Sequence, residues 1–255
     1  MVYDIKNEFL YSLSTLEKSN EKFFIIKIPN SIDLKIIIEQ SGCDWVNSYK
    51  YAIHDSAKKI KSMTNSPVSE EKFRFVYYFF EFVLPDILII LNILPKKTSR
   101  ILDIGGGIGL FNIFLNQFYQ SNIQINIIEV LKLNEIVHLN NKVKKIDKPI
   151  YVIDKTEKFL KKNNIKNLNM IETNKINKFL NIKYDMIFSF RSWGFLYDLE
   201  LYLDYVNKTL SNGGLVITDV KKENKFLEMF KNNFDNVKIL YERQEHLKLI
   251  GTKIK

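Results

Sequence analysis

Several residue types are scarce in this sequence, and each scarcity narrows what the chain can be. There is one cysteine, Cys43. A lone thiol excludes a disulfide framework and suits a reducing compartment. Long apolar runs are missing too. The longest, FVLPDILIILNIL at 82–94, is about half the length needed to span a bilayer, and Pro85 and Asp86 interrupt it. It reads as a core helix, and no membrane insertion is expected. The opening stretch MVYDIKNEFLYSLSTLEKSNEKFF scatters acidic residues and lacks an apolar segment before a small-residue cleavage site, so it is not expected to act as a secretion signal. A cytoplasmic protein is expected. Internal repeats and low-complexity linkers are absent as well.

Acidic residues are outnumbered, 29 against 38 Lys and Arg, for a formal charge of +9. A basic balance favours nucleic acid, anionic membrane surfaces or phosphorylated small molecules as partners. The lysines are nevertheless dispersed among acidic residues. The nearest approach to a cluster, NNKVKKIDK at 140–148, has no interleaved aromatics and reads as a solvated helix end or loop. Nucleic acid is therefore not the favoured partner.

What the chain does hold is enough sequence, 255 residues with 46% hydrophobic content, for one large α/β domain or a domain with a small companion. Residues 1–99 read as mostly helical and aromatic-rich, with apolar residues at helical spacing in DLKIIIEQ and in EKFRFVYYFFEFVLPDILIILNIL. From Ser99 the texture becomes short apolar runs separated by helical patterns, as βαβ units require. Strands are expected at RILDI, IQINIIEV, LNMIET, DMIFSF and LVITDV, with IYVI at 150–153 as an extra candidate. Helices are expected near 108–119, 199–210 and 223–232, and NGG at 212–214 as a turn. NVKILYER and LKLIGTKI have no helix between them and read as an antiparallel pair. The division expected is a helical cap over 1–98 and an α/β domain over 99–255.

Glycine is also scarce, yet four of the 9 fall in one stretch, RILDIGGGIGLFNIFL at 100–115. A strand that runs into glycines and then opens a helix begins a nucleotide-binding α/β fold. Glycine allows a sharp turn and leaves no Cβ between main chain and ligand. The dinucleotide fingerprint G-x-G-x-x-G, counted from Gly105, would need a third glycine where this chain has Leu110. The pattern present is D-x-G-x-G-x-G, from Asp103, Gly105, Gly107 and Gly109, with Gly106 between. A carboxylate there would repel a pyrophosphate. The next strand ends in Glu129, about 20 residues on, where a carboxylate can accept ribose hydroxyls.

This pattern resembles motif I of the class I S-adenosylmethionine-dependent methyltransferases. The resemblance covers roughly 99–255, and the closing strand pair matches the same family. It implies a Rossmann-like fold: a mostly parallel seven-stranded sheet with an antiparallel C-terminal hairpin, preceded here by the helical cap. It implies S-adenosyl-L-methionine as cofactor, with S-adenosyl-L-homocysteine as product. Asp103, Gly105, Gly106, Gly107, Gly109 and Glu129 would hold it, joined by Glu172 and Thr173 at the end of LNMIET, and by Ser189 and Phe190 after DMIF. A ligand with an ammonium and a sulfonium, and no phosphate, welcomes those carboxylates.

The acceptor side falls after DMIFSF, because open α/β sheets bind ligands outside the carboxyl ends of their strands. SFRSWGFLYDLELYL resembles the corresponding segment of sugar O-methyltransferases, which often carry a histidine where this chain has Leu196. Arg191, Ser192, Trp193 and Tyr197 are candidate acceptor contacts, with Arg191 read as an anion clamp. Asp198, Tyr197, Arg191 and His54 are candidates for handling the acceptor proton. Arg74 and Glu81, seven apart on one helix face, serve the acceptor or form a surface pair. His138 and His246 are expected to lie away from the site. Asp219 ends LVITDV at a position that binds Mg²⁺ in some relatives, but it has no companion ligands at convincing spacing, and no metal is expected.

Two neighbouring classes are disfavoured. The strand before SFRSWG is not followed by the Pro-Pro run of DNA amino-methyltransferases, and Cys43 lies too far upstream to serve as the nucleophile of pyrimidine-carbon methylation. The leading expectation is O-methylation of a small polar acceptor: a sugar, a nucleotide-linked sugar or a phosphate-bearing intermediate of bacterial surface or capsular polysaccharide. RNA methylation and a catalytically degenerate cofactor-binding module are the alternatives.

Overall fold

The computed structural model describes residues 2–5, 8–12, 23–27, 83–129, 136–139, 142–145, 153–195, 197–243 and 245–253. The chain divides into two compact units. One comprises Met1–Leu88, Ile108–Phe118 and Ile150–Ile165; the other comprises Ile89–Gly107, Tyr119–Pro149 and Lys166–Lys255.

The first unit contains three strands, β1 (Val2–Ile5), β2 (Glu8–Ser12) and β3 (Phe23–Lys27), paired antiparallel in that order. The helical reading of residues 1–99 fails over this stretch. Short runs such as VYDI and FFIIK are rich in β-branched and aromatic residues, and they are too brief to display a helical period. Helix α1 (Leu84–Ile90) falls inside the expected core helix. Helices α2 (Leu110–Phe118) and α3 (Ile153–Lys162) lie wholly in this unit. Ile153 opens α3, so the extra strand proposed over 150–153 does not include it.

The second unit is built on a seven-stranded sheet. Its strands are β4 (Arg100–Ile104), β5 (Gln124–Glu129), β8 (Leu168–Glu172), β9 (Tyr184–Ser189), β10 (Leu210–Lys221), β11 (Asp235–Glu242) and β12 (His246–Thr252). Their spatial order is β11-β12-β10-β9-β4-β5-β8. Neighbours from β10 to β8 run parallel, whereas β12 is antiparallel to both β10 and β11. This is the Rossmann-like methyltransferase fold, with the antiparallel hairpin closing one edge. From β4 the chain builds outward to β5 and β8, then returns to the other side of β4 with β9. The order therefore reverses between β4 and β9, and the crevice beyond their carboxyl ends is the topological switch point where such sheets take their ligands.

Apolar residues from β4, β5, β9, β10 and β12 are buried on both faces, which explains their nearly continuous hydrophobic runs. One core cluster joins them to α4 (Glu200–Thr209) and α5 (Asn224–Asn233) through Tyr202, Tyr205, Val206, Phe226 and Phe230. At the opposite end of the sheet from the switch point, one oxygen of Asp185 accepts the Ser99 N–H at 2.8 Å and the Arg100 N–H at 3.1 Å, pinning the start of β4 to β9.

Two expectations need correction here. Residues 142–145, read as a helix end or loop, form strand β7 (Lys142–Lys145), antiparallel to β6 (Ile136–Leu139). The NGG turn is absorbed into the long β10, where the pairing with β9 skips from Leu210 to Leu215. That irregularity accommodates Gly213 at φ 71°.

Candidate functional site

The glycine turn follows β4 directly. Gly105 and Gly107 have φ of 73° and 58°, in the left-handed region that glycine enters without penalty. The close approach is equally demanding. A Cβ on Gly105 would lie 1.9 Å from Ser192 Oγ, and one on Gly106 would lie 2.6 Å from Asp103 Oδ2. The first contact brings the turn against the loop that follows β9. The second places the buried Asp103 carboxylate beneath the turn, at the end of its strand. Gly109, in the other unit, has φ 73°, and a Cβ there would meet Leu160 at 2.6 Å.

Glu129 ends β5 and is nearly buried. Its Oε2 accepts the Gly107 N–H at 3.3 Å, and the Gly105 N–H donates to the Ile128 carbonyl at 2.9 Å. The turn is thereby fixed to the end of the neighbouring strand. Beyond it, Thr173 donates from Oγ1 to the Glu129 carbonyl at 3.2 Å, while Glu172 pairs with Lys175. The residues expected to hold the cofactor within this unit thus converge on adjoining carboxyl ends of β4, β5 and β8.

The loop after β9 completes the crevice. Ser189 Oγ donates to the Ile104 carbonyl at 2.7 Å and accepts the Trp193 N–H at 2.8 Å, so its hydroxyl organises the junction of β9 with β4. Phe190 is half-buried beside Phe188. Arg191 adopts φ 57° and donates its N–H to Asp219 Oδ2 at 3.0 Å. Ser192 is buried against the glycine turn.

Trp193 differs from its expected role. It is completely buried, and its indole N–H donates to the Leu199 carbonyl at 2.6 Å. A ring with no exposed surface cannot offer an acceptor a face, so this tryptophan shapes the loop from within the core. Tyr197 is half-buried, with its N–H on the Ser192 carbonyl at 3.0 Å. Burial, and secondarily the negative charge of Glu129, push its phenol up to about 12. Asp198 is exposed, and its carbonyl accepts the Leu201 N–H at 3.0 Å as α4 begins. His54, Arg74, Glu81 and Leu196 lie outside the described residues.

Three residues at this end of the sheet have partners that the sequence reading did not assign. Asp219, near the carboxyl end of β10, is fully buried and faces Lys248 on β12, whose ammonium reaches its Oδ1 at 2.7 Å. Lys248 is also fully buried and lies over the Phe190 ring, 3.9 Å from its centroid. His246, expected to be remote, opens β12 with its ring steeply inclined to that of Phe195, centroids 5.5 Å apart, and Nε2 3.9 Å from Asp219 Oδ1. Burial lowers its pKa, and the positive charges of Lys248, Arg191 and Arg243 add to the effect; Asp219 opposes them. A signal did exist. LVITDV and HLKLIGT each carry one charged residue inside an otherwise apolar strand, and a charge buried there needs a partner. Among the described residues no group of three or more His, Cys, Asp or Glu side chains is placed to hold a metal.

The residues present suit S-adenosylmethionine. Left-handed glycines open the turn, and two buried carboxylates flank it, which fits a cationic amino acid and a ribose diol; an acid placed like Glu129 is shared with dinucleotide sites, and it is Asp103 that would oppose a pyrophosphate. No family model matches the chain, and no curated protein matches it in sequence. Among solved structures it is similar to the precorrin-6y C5,15-methyltransferase of Geobacter metallireducens, at 17% identity and TM-score 0.46, over 66% of this chain and 87% of that one. It is similar to the N-methyltransferase NodS of Bradyrhizobium japonicum in complex with S-adenosyl-L-homocysteine, at 13% identity and TM-score 0.45, over 68% and 85%. It is also similar to an O-methyltransferase family protein of Burkholderia thailandensis, at 11% identity and TM-score 0.47, over 89% and 74%. The fold assignment rests on strand order and register.

Proposed function

We propose that this chain is an S-adenosylmethionine-dependent O-methyltransferase acting on a small polar acceptor, a sugar, nucleotide-linked sugar or phosphate-bearing intermediate of bacterial surface polysaccharide assembly. The observation that carries the cofactor reading is the arrangement at the switch point. Buried Asp103 lies beneath a turn in which a side chain at Gly105 or Gly106 would force its neighbours to shift, and Glu129 closes the turn from the next strand. The acceptor class rests on the resemblance of SFRSWGFLYDLELYL to sugar O-methyltransferases and on the net positive charge of +9. A cytoplasmic location accords with both; among the described residues no helix is long and apolar enough to cross a membrane.

When bound, the cofactor supplies a methyl group on a sulfonium centre, open to in-line attack. The chain's part is to align the acceptor oxygen with that carbon, keep water out and help remove the hydroxyl proton. Asp103 would meet the ligand's ammonium and Glu129 its ribose hydroxyls. Arg191, at the mouth of the β9 loop, would clamp an anionic group of the acceptor. Tyr197 keeps its proton at any physiological pH, because its phenol titrates only at about 12. It is suited to donating a hydrogen bond to the acceptor rather than taking its proton. Asp198 and His54 are the proposed proton acceptors.

The test is transfer of labelled methyl from S-adenosylmethionine to a panel of sugar phosphates and nucleotide sugars, with unfractionated RNA in parallel. Label in the sugar fraction, lost in Arg191→Gln, supports the reading. Label in RNA alone, with salt-sensitive binding, would replace it with RNA methylation. Cofactor binding without transfer to either would point to the degenerate module.

A further inference from the structure

Beyond the bonds of Ser189 and Trp193, the start of the β9 loop is tied to β10 and, through Asp219, to β12. Arg191 sits at φ 57°, a conformation that residues with a Cβ hold only where the surroundings over-determine it. Its N–H donates to Asp219 Oδ2 at 3.0 Å. Two residues on, the Trp193 carbonyl accepts the Thr218 hydroxyl at 2.7 Å, and the Gly194 carbonyl accepts the Lys221 N–H at 3.1 Å. Gly194 approaches so closely that a Cβ would lie 2.7 Å from the Asp219 carbonyl oxygen. The second oxygen of Asp219 takes the Lys248 ammonium at 2.7 Å, and Lys248 in turn lies over Phe190.

Asp219 and Lys248 are directly opposed in the β10–β12 ladder, and neither side chain is exposed to solvent. Such a pair adds little to stability, because removing two charges from water costs about what their attraction returns, and apolar replacements of similar volume are often tolerated. Its presence asks for another use. The contact between loop and glycine turn indicates one: Ser192 occupies the space a Gly105 side chain would need, so any shift of the loop reaches the turn.

We propose that the Asp219–Lys248 pair is a positioning device, holding Arg191 in its strained conformation and so setting where Ser192 meets the cofactor turn. This rests on the S-adenosylmethionine reading of that turn. It makes the C-terminal hairpin, distant in sequence from the glycines, a determinant of cofactor affinity. Asp219 and Lys248 act through Arg191, Phe190 and Ser192, not by touching the ligand.

The experiment uses the full chain, with S-adenosyl-L-homocysteine affinity measured by calorimetry and thermal melting followed alongside. In Asp219→Leu with Lys248→Met the pair is replaced by apolar side chains and the Arg191 N–H loses its acceptor. The melting temperature should stay near that of wild type while affinity falls at least tenfold. Asp219→Asn with Lys248→Met keeps an oxygen to accept that N–H and should recover most of the affinity, a rescue that a general packing effect would not give. Asp219→Ala with Lys248→Met makes the same prediction as the leucine variant and serves if that variant does not fold. Wild-type affinity in the folded Leu or Ala variant would overturn the positioning role alone. Failure of wild type to bind S-adenosyl-L-homocysteine would overturn the cofactor reading, and the positioning role with it.

Discussion

The contact between Gly105 and Ser192 permits a quantitative prediction for Gly105→Ala. Two separate costs arise. Alanine at φ 73° forces a Cβ into the left-handed region, at about 1–2 kcal/mol. The new methyl would also lie 1.9 Å from Ser192 Oγ and 2.5 Å from its Cβ, an overlap only movement of the loop relieves. Overpacking of this kind costs about 1–3 kcal/mol. The sum is about 2–5 kcal/mol, read from urea denaturation followed by circular dichroism. Ser192→Gly removes both clashing atoms, so in that background Gly105→Ala should cost only the conformational part. The double-mutant cycle should return a coupling of about 1–3 kcal/mol. Equal costs of Gly105→Ala in the two backgrounds would refute the proposed contact. A cost below about 0.5 kcal/mol in wild type would refute the conformational argument as well.

Two pH effects follow from the same site. The Tyr197 phenol is held up to about 12 against an ordinary 10.0, so between these values the unfolded chain releases this proton before the folded one does. Stability should fall as pH rises through that window, by at most about 3 kcal/mol for this group, less whatever its partial exposure screens. Tyr197→Phe should flatten the fall, and Glu129→Gln should bring the tyrosinate absorbance change to lower pH; no change in either variant would contradict the assigned causes. His246 is shifted downward from 6.5, chiefly by burial, so below that pH the unfolded chain takes up a proton that the folded chain resists. Folding stability should decline as pH falls below about 6.5. His246→Asn should lessen the decline, measured as urea midpoints at neutral and mildly acid pH; an unchanged slope would show that the imidazole is not held neutral.

The α/β half of the chain was legible because its signals are local. RILDI, its glycines and INIIE state a strand, a turn and a second strand within thirty residues, and the antiparallel ending follows from the missing helix between the last two runs. Asp103 and Glu129 could be placed at strand ends and the glycines in the turn after the first of them from sequence alone, and they lie there. What could not be read depends on register. Nothing in LVITDV or HLKLIGT says that Asp219 faces Lys248, since a shift of one residue would send either side chain to the opposite face. Nor could burial of Trp193 be told from exposure, because an aromatic on a strand-end loop suits either. The N-terminal strands are not legible in the sequence, since runs of four or five residues are too short for their period to stand out from the helical patterns that follow.

The central claim is that the glycine turn after β4 binds S-adenosylmethionine through Asp103 and Glu129. Calorimetric titration with S-adenosyl-L-homocysteine tests it most directly. Saturable binding to wild type, greatly weakened by Asp103→Ala and by Gly107→Val in chains that still melt cooperatively, is the predicted result. An absence of binding, or an affinity that neither substitution changes, would contradict the account.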